Sequence, residues 1–336
     1  QCAAQAEIIG NKIINVLNQP YQLDGHEHHS TPSIGITLFK DQEQTAEELL
    51  KQADIAMYEA KSSGRNALCF FDPKMQAAIS ARVAVEEDLH LALKEGQFTL
   101  YYQSQVNRSG IIVGAEVLIR WQHPVRGLVS PVQFIPLAEE SQLILPIGEW
   151  VLKTACAQLK AWENNAQTRH LQLAVNVSPR QFHQTDFIAQ VIEIVERSGI
   201  NPTLLKLELT EGIVLNDIED TILKMKALRK IGVSFSMDDF GTGFSSLSNL
   251  KKLPFDQLKI DKSFVRDISV DRDDAIIVET IIAMANKLKM EVIAEGVESE
   301  AQRVFLEQHH CEFFQGYLFS KPVPLEQFEA LLMPLD

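Results

Sequence analysis

From Phe98 to its end the chain alternates short apolar strand candidates with amphipathic helices, and this alternation limits its fold more than any other feature. The strand candidates are 98–103, 112–120, 171–177, 204–209, 233–238, 257–260, 291–294 and 313–317. Helical periodicity fills most of the gaps, at 149–163, 187–198, 217–230, 273–288 and 299–307. Eight strands separated in this way fit one closed (β/α)8 barrel better than a doubly wound open sheet. The opening is irregular, because only the turn at Asn107–Gly110 separates the first two strands. That is too short for a parallel crossover, so the two should pair antiparallel.

The preceding residues read as a separate, smaller α/β piece. A helix is predicted over 5–18, a strand over 33–37, a second helix over 46–62 and a short strand over 67–71. So few elements make a thin core, so residues 1–75 are expected to be part of a larger domain. An Ala-, Glu- and Leu-rich helix over about 76–96 links this piece to the barrel at 97–336. The chain opens on Gln1 and not on Met, which suggests a fragment or a processed chain, with room upstream for a sensor or a membrane anchor.

Charge narrows the partners. The formal net charge is -14 and no basic stripe is visible, which argues against long DNA or RNA as a ligand. A small phosphate ligand remains compatible, since bound divalent cations reverse the local field. Cys2, Cys69, Cys156 and Cys311 are far apart and read as reduced thiols of a cytoplasmic protein. His26, His28 and His29 sit beside Gly25 in what reads as a polar surface loop. No window approaches the ~20 apolar residues of a membrane span, and the first residues lack the pattern of a secretory signal.

The chemistry shows as a positional regularity. In Leu205–Thr210 the leucines take one face of a strand, and Lys206, Glu208 and Thr210 take the other. Lys259 and Asp261 likewise share a face opposite Leu258 and Ile260, and Asn176 stands between two valines. Polar side chains on an inward strand face are costly unless paired or bound. Here they recur at strand ends: Glu116, Asn176, Glu208, Asp238, Asp261, Glu295 and Gln315. In a barrel those ends converge on one mouth, where gathered carboxylates repel one another and oxygen-seeking cations such as Mg²⁺ or Mn²⁺ would relieve them. Any one of them could equally be a salt bridge or a helix cap, and Glu211, just past a strand, could be an ordinary anchor. The adjacent Asp238 and Asp239 lead into Gly- and Ser-rich residues that read as a loop covering the site. Two carboxylates there could reach two metals and support in-line phosphoryl displacement. Lys259 would stabilise the developing charge or hold a water, and Arg120 would grip a phosphate oxygen.

These residues sit in a series of motifs that resembles the EAL-domain family of cyclic-di-GMP phosphodiesterases. The naming motif stands as Glu116-Val117-Leu118, followed by Ile119-Arg120-Trp121, with valine in place of alanine. Asn176-Val177-Ser178-Pro179, Glu208-Leu209-Thr210-Glu211 and Asp238-Asp239-Phe240-Gly241-Thr242-Gly243 follow. Lys259-Ile260-Asp261, Glu295-Gly296-Val297-Glu298 and Gln315-Gly316-Tyr317-Leu318-Phe319-Ser320-Lys321-Pro322 complete the order. The resemblance implies a modified TIM barrel with an antiparallel strand, two Mg²⁺ or Mn²⁺ ions, and hydrolysis of the bacterial second messenger cyclic di-GMP to linear pGpG. It implies that Glu116, Asn176, Glu208 and Asp238 ligate one metal, and that Asp238 and Asp239 hold the second. Glu295 is implied as a metal ligand or general base, and Lys259 as the group orienting a metal-bound water. Glu211 would anchor the loop that begins at Asp239. Gln103, Leu118, Arg120, Asp261, Gln315 and Pro322 are implied at or beside the substrate. The family's usual Tyr-Gln-Pro reads Tyr102-Gln103-Ser104 here, and the missing proline is expected to loosen that strand end. A homodimer through the barrel is the assembly the family suggests.

The first 75 residues resemble the second half of a GGDEF, or diguanylate cyclase, domain. Ser33-Ile34-Gly35-Ile36, the run Ala53–Lys61 and Gly64-Arg65-Asn66 carry the likeness, and the signature loop of that family is absent from the sequence. Two other readings stay open for the barrel: a catalytically inactive cyclic-di-GMP receptor that signals by conformation, and a scaffold without a working site.

Overall fold

The computed structural model describes residues 2–23, 25–39, 44–241 and 250–332. The chain divides into two compact units, Gln1–Glu87 and Asp88–Asp336, with the division inside the helix Pro73–Glu95.

In the first unit a helix, Cys2–Leu17, precedes a hairpin of β1 (Tyr21–Leu23) and β2 (His26–His28). The expected histidine loop is thus corrected: His26 and His28 belong to a paired strand, and the ring of His28 stacks on Tyr21 at 6.1 Å. β3 (Ile34–Ile36) and β4 (Leu68–Phe70) pair in parallel, joined by the crossover helix Ala46–Ser62. That helix begins where Thr45 and Glu48 cap each other's backbone N–H groups in a capping box. The described buried side chains here are few, among them Ile14, Ile55, Ala56 and Ala60.

The second unit is a closed barrel. β5 (Phe98–Asn107) and β6 (Ile112–His123) pair antiparallel, as the short Asn107 turn requires. Asn107 builds that turn by accepting from the backbone N–H groups of Ser109 and Ile111. β7 (Gly127–Val129) adds to the outside of β6. From β6 the sheet runs in parallel through β8 (Gln172–Asn176), β9 (Leu205–Thr210), β10 (Ser234–Phe240), β11 (Gln257–Ile260), β12 (Glu291–Ala294) and β13 (Phe313–Gln315). β13 returns antiparallel to β5 and closes the ring, and β14 (Val323–Pro324) pairs with β5 beyond it. All eight strand candidates are therefore barrel strands.

The helices between strands form the outer layer, as expected, with the short helices Pro179–Phe182, Glu211–Asn216 and Lys262–Arg266 added and the first long helix altered. That long helix begins earlier, at Ile144, and a separate helix, Pro131–Glu140, precedes it. Pro136 inside that short helix weakens its periodic signal. Leu205, Leu207, Leu209, Phe235, Met237, Leu258 and Ile260 are all fully buried against this layer. Apolar burial at roughly 25 cal/mol per Å² holds the barrel wall, which leaves the opposite strand faces for the interior. Those inward faces carry Lys206, Glu208, Ser236, Gln257 and Lys259, each at most 3% exposed. Being buried on both faces, β9 keeps its period-two alternation in chemistry but not in exposure.

Candidate active site

The mouth of the barrel is built around one buried ammonium. Lys259, on β11 and 1% exposed, places Nζ 2.6 Å from Glu295 Oε1 and 2.7 Å from Glu208 Oε2. Asp238 Oδ1 lies 3.0 Å away and Glu116 Oε2 3.6 Å away. These five residues come from five different strands or strand ends, and only ring closure brings them together. Glu116 is further held by Asn176 Nδ2 at 2.6 Å and Gln315 Nε2 at 2.5 Å. Gln315 in turn donates to Gln103 Oε1 at 3.1 Å and accepts from Gln105 Nε2 at 3.0 Å.

Charge does not balance in this arrangement. Burial alone would pull the Lys259 ammonium down, but Asp238, Glu116, Glu208 and Glu295 together push it well above the usual lysine range. The same carboxylates repel one another. Burial drives Glu208 well above the ordinary carboxylate range against the pull of Lys259, and Glu116, Asp238 and Glu295 drive it further. Glu295 is raised for the same reasons, burial first and Asp238 and Glu116 after it. One oxygen of Glu208, Oε1, is buried without a hydrogen-bond partner among the described residues. Four carboxylates facing one cation, with a buried orphan oxygen, form a site short of positive charge.

Asp239 reaches the mouth through a backbone irregularity. Between Met237 and Phe240 β10 advances three residues while β11 advances two, from Leu258 to Ile260. This bulge places an extra residue at the strand end, and Asp239 takes a left-handed φ of 53°. In a regular strand neighbouring side chains face opposite ways; here Asp239 joins Asp238 at the mouth. Its carboxyl is raised to about 6, by burial and then by Asp238 and Asp261, with which it also shares a hydrogen bond. Asp261 accepts from the backbone and hydroxyl of Ser263, and those bonds hold it low despite partial burial. Two glycines fit their places closely. Gly296, after Glu295, has a φ of 67°, and a Cβ on Gly316, after Gln315, would come within 2.2 Å of Val297 O.

The remaining expected residues lie around this centre with different degrees of engagement. Arg120 is half-buried on β6, with Nη1 donating to Ile119 O at 2.9 Å and the guanidinium 5.3 Å from the Tyr101 ring centroid. Burial lowers its pKa, against the opposing pull of Tyr101, Tyr317 and Glu116. Leu118 lines an apolar cavity of about 290 Å³ together with Ile135, Ile144, Asn176 and Pro179. Glu211 is buried at the start of the helix Glu211–Asn216. Gln103 pairs across from Glu116 and donates to Ser320 O at 3.2 Å; Pro322 is partly exposed just before β14. Residues Thr242–Leu247 of the expected covering loop lie outside the described residues.

Two features went unread in the sequence. Gln105, two residues after Gln103 on the same strand face, extends the glutamine chain that holds Glu116, and its inward spacing was the available signal. The second is a correction at Ser104. The strand end does not loosen there, because Ser104 N and Oγ both bond Ser320 Oγ, at 3.1 and 2.7 Å. A proline could not make the first of these bonds.

The four carboxylates converge on Lys259 Nζ, not on a common point. Among the described residues no three His, Cys, Asp or Glu side chains stand as a ready-made metal cage. The donor chemistry nevertheless fits a hard divalent cation: several carboxylates, one amide and an unpartnered buried carboxylate oxygen.

Fold and site together define a (β/α)8 barrel with an acidic mouth at the C-terminal ends of its strands, where barrels of this type carry their chemistry. The chain belongs to the EAL domain family, whose model matches residues 86–322, and the diguanylate cyclase GGDEF domain model matches residues 1–67. It is 42% identical over 328 residues to the bifunctional diguanylate cyclase/cyclic di-GMP phosphodiesterase MucR of Pseudomonas aeruginosa, covering 97% of this chain and 48% of that protein. It is 39% identical to the cyclic di-GMP phosphodiesterase NbdA of the same organism, covering 98% of this chain and 42% of NbdA. The chain thus spans about half the length of the curated relatives it matches, or somewhat less. Among solved structures, the PaMucR phosphodiesterase in complex with c-di-GMP superimposes with a TM-score of 0.71 at 41% identity, covering 73% of this chain and 99% of that one. No described helix is long and apolar enough to cross a membrane.

Proposed function

We propose that the barrel mouth hydrolyses one phosphodiester bond of cyclic di-GMP, giving linear pGpG. The observation that carries this reading is the set of four carboxylates around Lys259, with Glu208 Oε1 unpartnered, in a chain of the EAL family. Relatives at 42% and 39% identity bear the phosphodiesterase name, and the solved neighbour holds c-di-GMP. Two Mg²⁺ or Mn²⁺ ions suit the oxygen donors. Glu116, Asn176, Glu208 and Asp238 would hold one ion, and Asp238, Asp239 and Glu295 the other. When bound, such cations neutralise charge on the phosphoryl oxygens and make water acidic enough to attack phosphorus.

The protein's own groups divide the remaining work. The surrounding carboxylates favour the cationic form of Lys259, which would hold Glu208, Asp238 and Glu295 in position and orient a metal-bound water. Glu295 would serve either as a ligand of the second ion or as the base that accepts the proton of the attacking water. Arg120 would meet a phosphate oxygen, its plane steadied by Tyr101. Leu118 offers apolar surface to a guanine, with Gln103, Asp261, Gln315 and Pro322 on the substrate side. Glu211 would steady the segment that follows Asp239. We place the reaction in the cytoplasm, in a barrel that pairs with a second copy of itself.

A receptor role is the second reading, favoured by Lys259 standing where the carboxylates converge. Incubating the chain with cyclic di-GMP and Mg²⁺, then resolving the nucleotides by chromatography, separates the two. Appearance of pGpG supports hydrolysis, whereas binding without product supports the receptor.

A further inference from the structure

At the opposite end of the barrel lies a second inward-facing lysine. Lys206 sits on β9 one inward position below Glu208 and is 3% exposed. Its ammonium forms no hydrogen bond or ion pair with another described residue, and although the side chain is almost wholly covered the ammonium is left open to a neighbouring cavity. It lines a cavity of about 350 Å³, with Gln105, His170, Gln172, Gln257 and Glu291 among its walls. Gln172, Gln257 and Glu291 are the first residues of β8, β11 and β12, so this cavity opens at the N-terminal face of the strands. The mouth that holds Lys259 lies at their other end.

The walls are suited to a small anion. Apart from Lys206 and Glu291, their polar side chains are Gln105, Gln172, Gln257, Thr203 and His170, and the cation they surround has no hydrogen-bonded partner among the described residues. Each wall amide has one tie, leaving its second N–H for a ligand: Gln105 Nε2 donates to Gln315 Oε1 at 3.0 Å, Gln172 Nε2 to Thr203 O at 3.3 Å, and Gln257 Nε2 weakly to Glu291 Oε2 at 3.5 Å. Glu291 is an exposed carboxylate and the acidic member of the wall. An oxyanion seated on Lys206 would gain charge-assisted hydrogen bonds inside a cavity of ligand-binding size. We propose that the floor of the barrel is a second site, separate from the mouth, that binds a small oxyanion of the phosphate or carboxylate class on Lys206.

Inorganic phosphate and acetate are the probes, each titrated into the EDTA-treated chain with chloride at matched ionic strength as control. Thermal unfolding and calorimetry report binding. The proposal expects saturable stabilisation by at least one of the two oxyanions, and the stronger one names the class. Lys206→Met should weaken that binding about tenfold or more, the loss expected for one charge-assisted contact. Glu291→Gln should strengthen it, because it removes the acidic wall group, and this variant carries the test if Lys206→Met does not fold. Glu116→Gln, at the mouth, should leave the response unchanged. A response that chloride reproduces, that survives Lys206→Met, or that disappears with Glu116→Gln would overturn the proposal, as would no response to either anion.

Discussion

Lys259 and Lys206 are the same residue on inward faces of the same barrel, yet their surroundings are opposite. At the mouth, four carboxylates lie within 3.6 Å of Lys259 Nζ and hold it cationic. At the floor, burial pulls the Lys206 ammonium down, and Glu291, Glu208 and Asp256 only partly oppose it. The mouth has too much negative charge and the floor too little. A barrel interior is therefore not one environment. Which end of a strand a residue occupies decides whether it belongs to a charged cluster or stands alone.

The largest effect is expected from removing the ammonium at the centre of the mouth. Lys259→Met leaves the carboxylates uncompensated, and denaturant unfolding without divalent ions should show a loss of about 3–5 kcal/mol. Added Mg²⁺ should restore part of that loss. An unchanged midpoint would mean the cluster is already neutralised by protons, erasing the contrast with the floor. Next comes Glu116→Gln, which should lower cyclic-di-GMP turnover by about a hundredfold or more while thermal unfolding stays cooperative. Near-normal turnover would remove Glu116 from the proposed metal set.

Acidity sharpens the comparison further. The Asp239 carboxyl lies at about 6 in the folded chain against an ordinary 3.8. Between those values the folded chain keeps a proton that the unfolded chain has lost, so metal-free stability falls as pH rises through this window. Divalent affinity should rise across the same window, because cations compete with that proton. Thermal unfolding with and without MgCl₂ between about pH 4 and pH 7 checks both slopes, and Asp239→Asn should flatten them. At the floor, Lys206→Met should change stability little or raise it by about 1 kcal/mol, with turnover intact, as urea titration can show. The smallest effect is expected at Ser104→Ala, about 1 kcal/mol from the lost hydroxyl contact to Ser320.

Much of this was legible because barrel strands announce themselves. The alternation in Leu205–Thr210 located Glu208 on the inward face, and the short turn after Asn107 required the antiparallel pair. The acidic strand ends could be identified as a convergent set once the barrel was inferred. Other features depend on register and distance, which spacing does not encode. The bulge that brings Asp239 alongside Asp238 is visible only in the offset of β10 against β11. The position of Lys259 at the focus of four carboxylates needs the closed ring. Lys206 follows the same alternation as Glu208, and nothing in its sequence neighbourhood reveals that it lacks a partner. The helix Pro131–Glu140 was hidden by its internal proline, and the hairpin of β1 and β2 by its polar, histidine-rich sequence.

In the proposed function the mouth hydrolyses its substrate with its missing positive charge supplied by divalent cations. Following cyclic-di-GMP consumption and pGpG formation in the EDTA-stripped chain, before and after adding back Mg²⁺ or Mn²⁺, tests it most directly. The stripped chain should give no product, adding back the ions should restore it, and Glu116→Gln should lose it. Undiminished turnover without divalent ions would contradict it, as would tight nucleotide binding with no product under either metal.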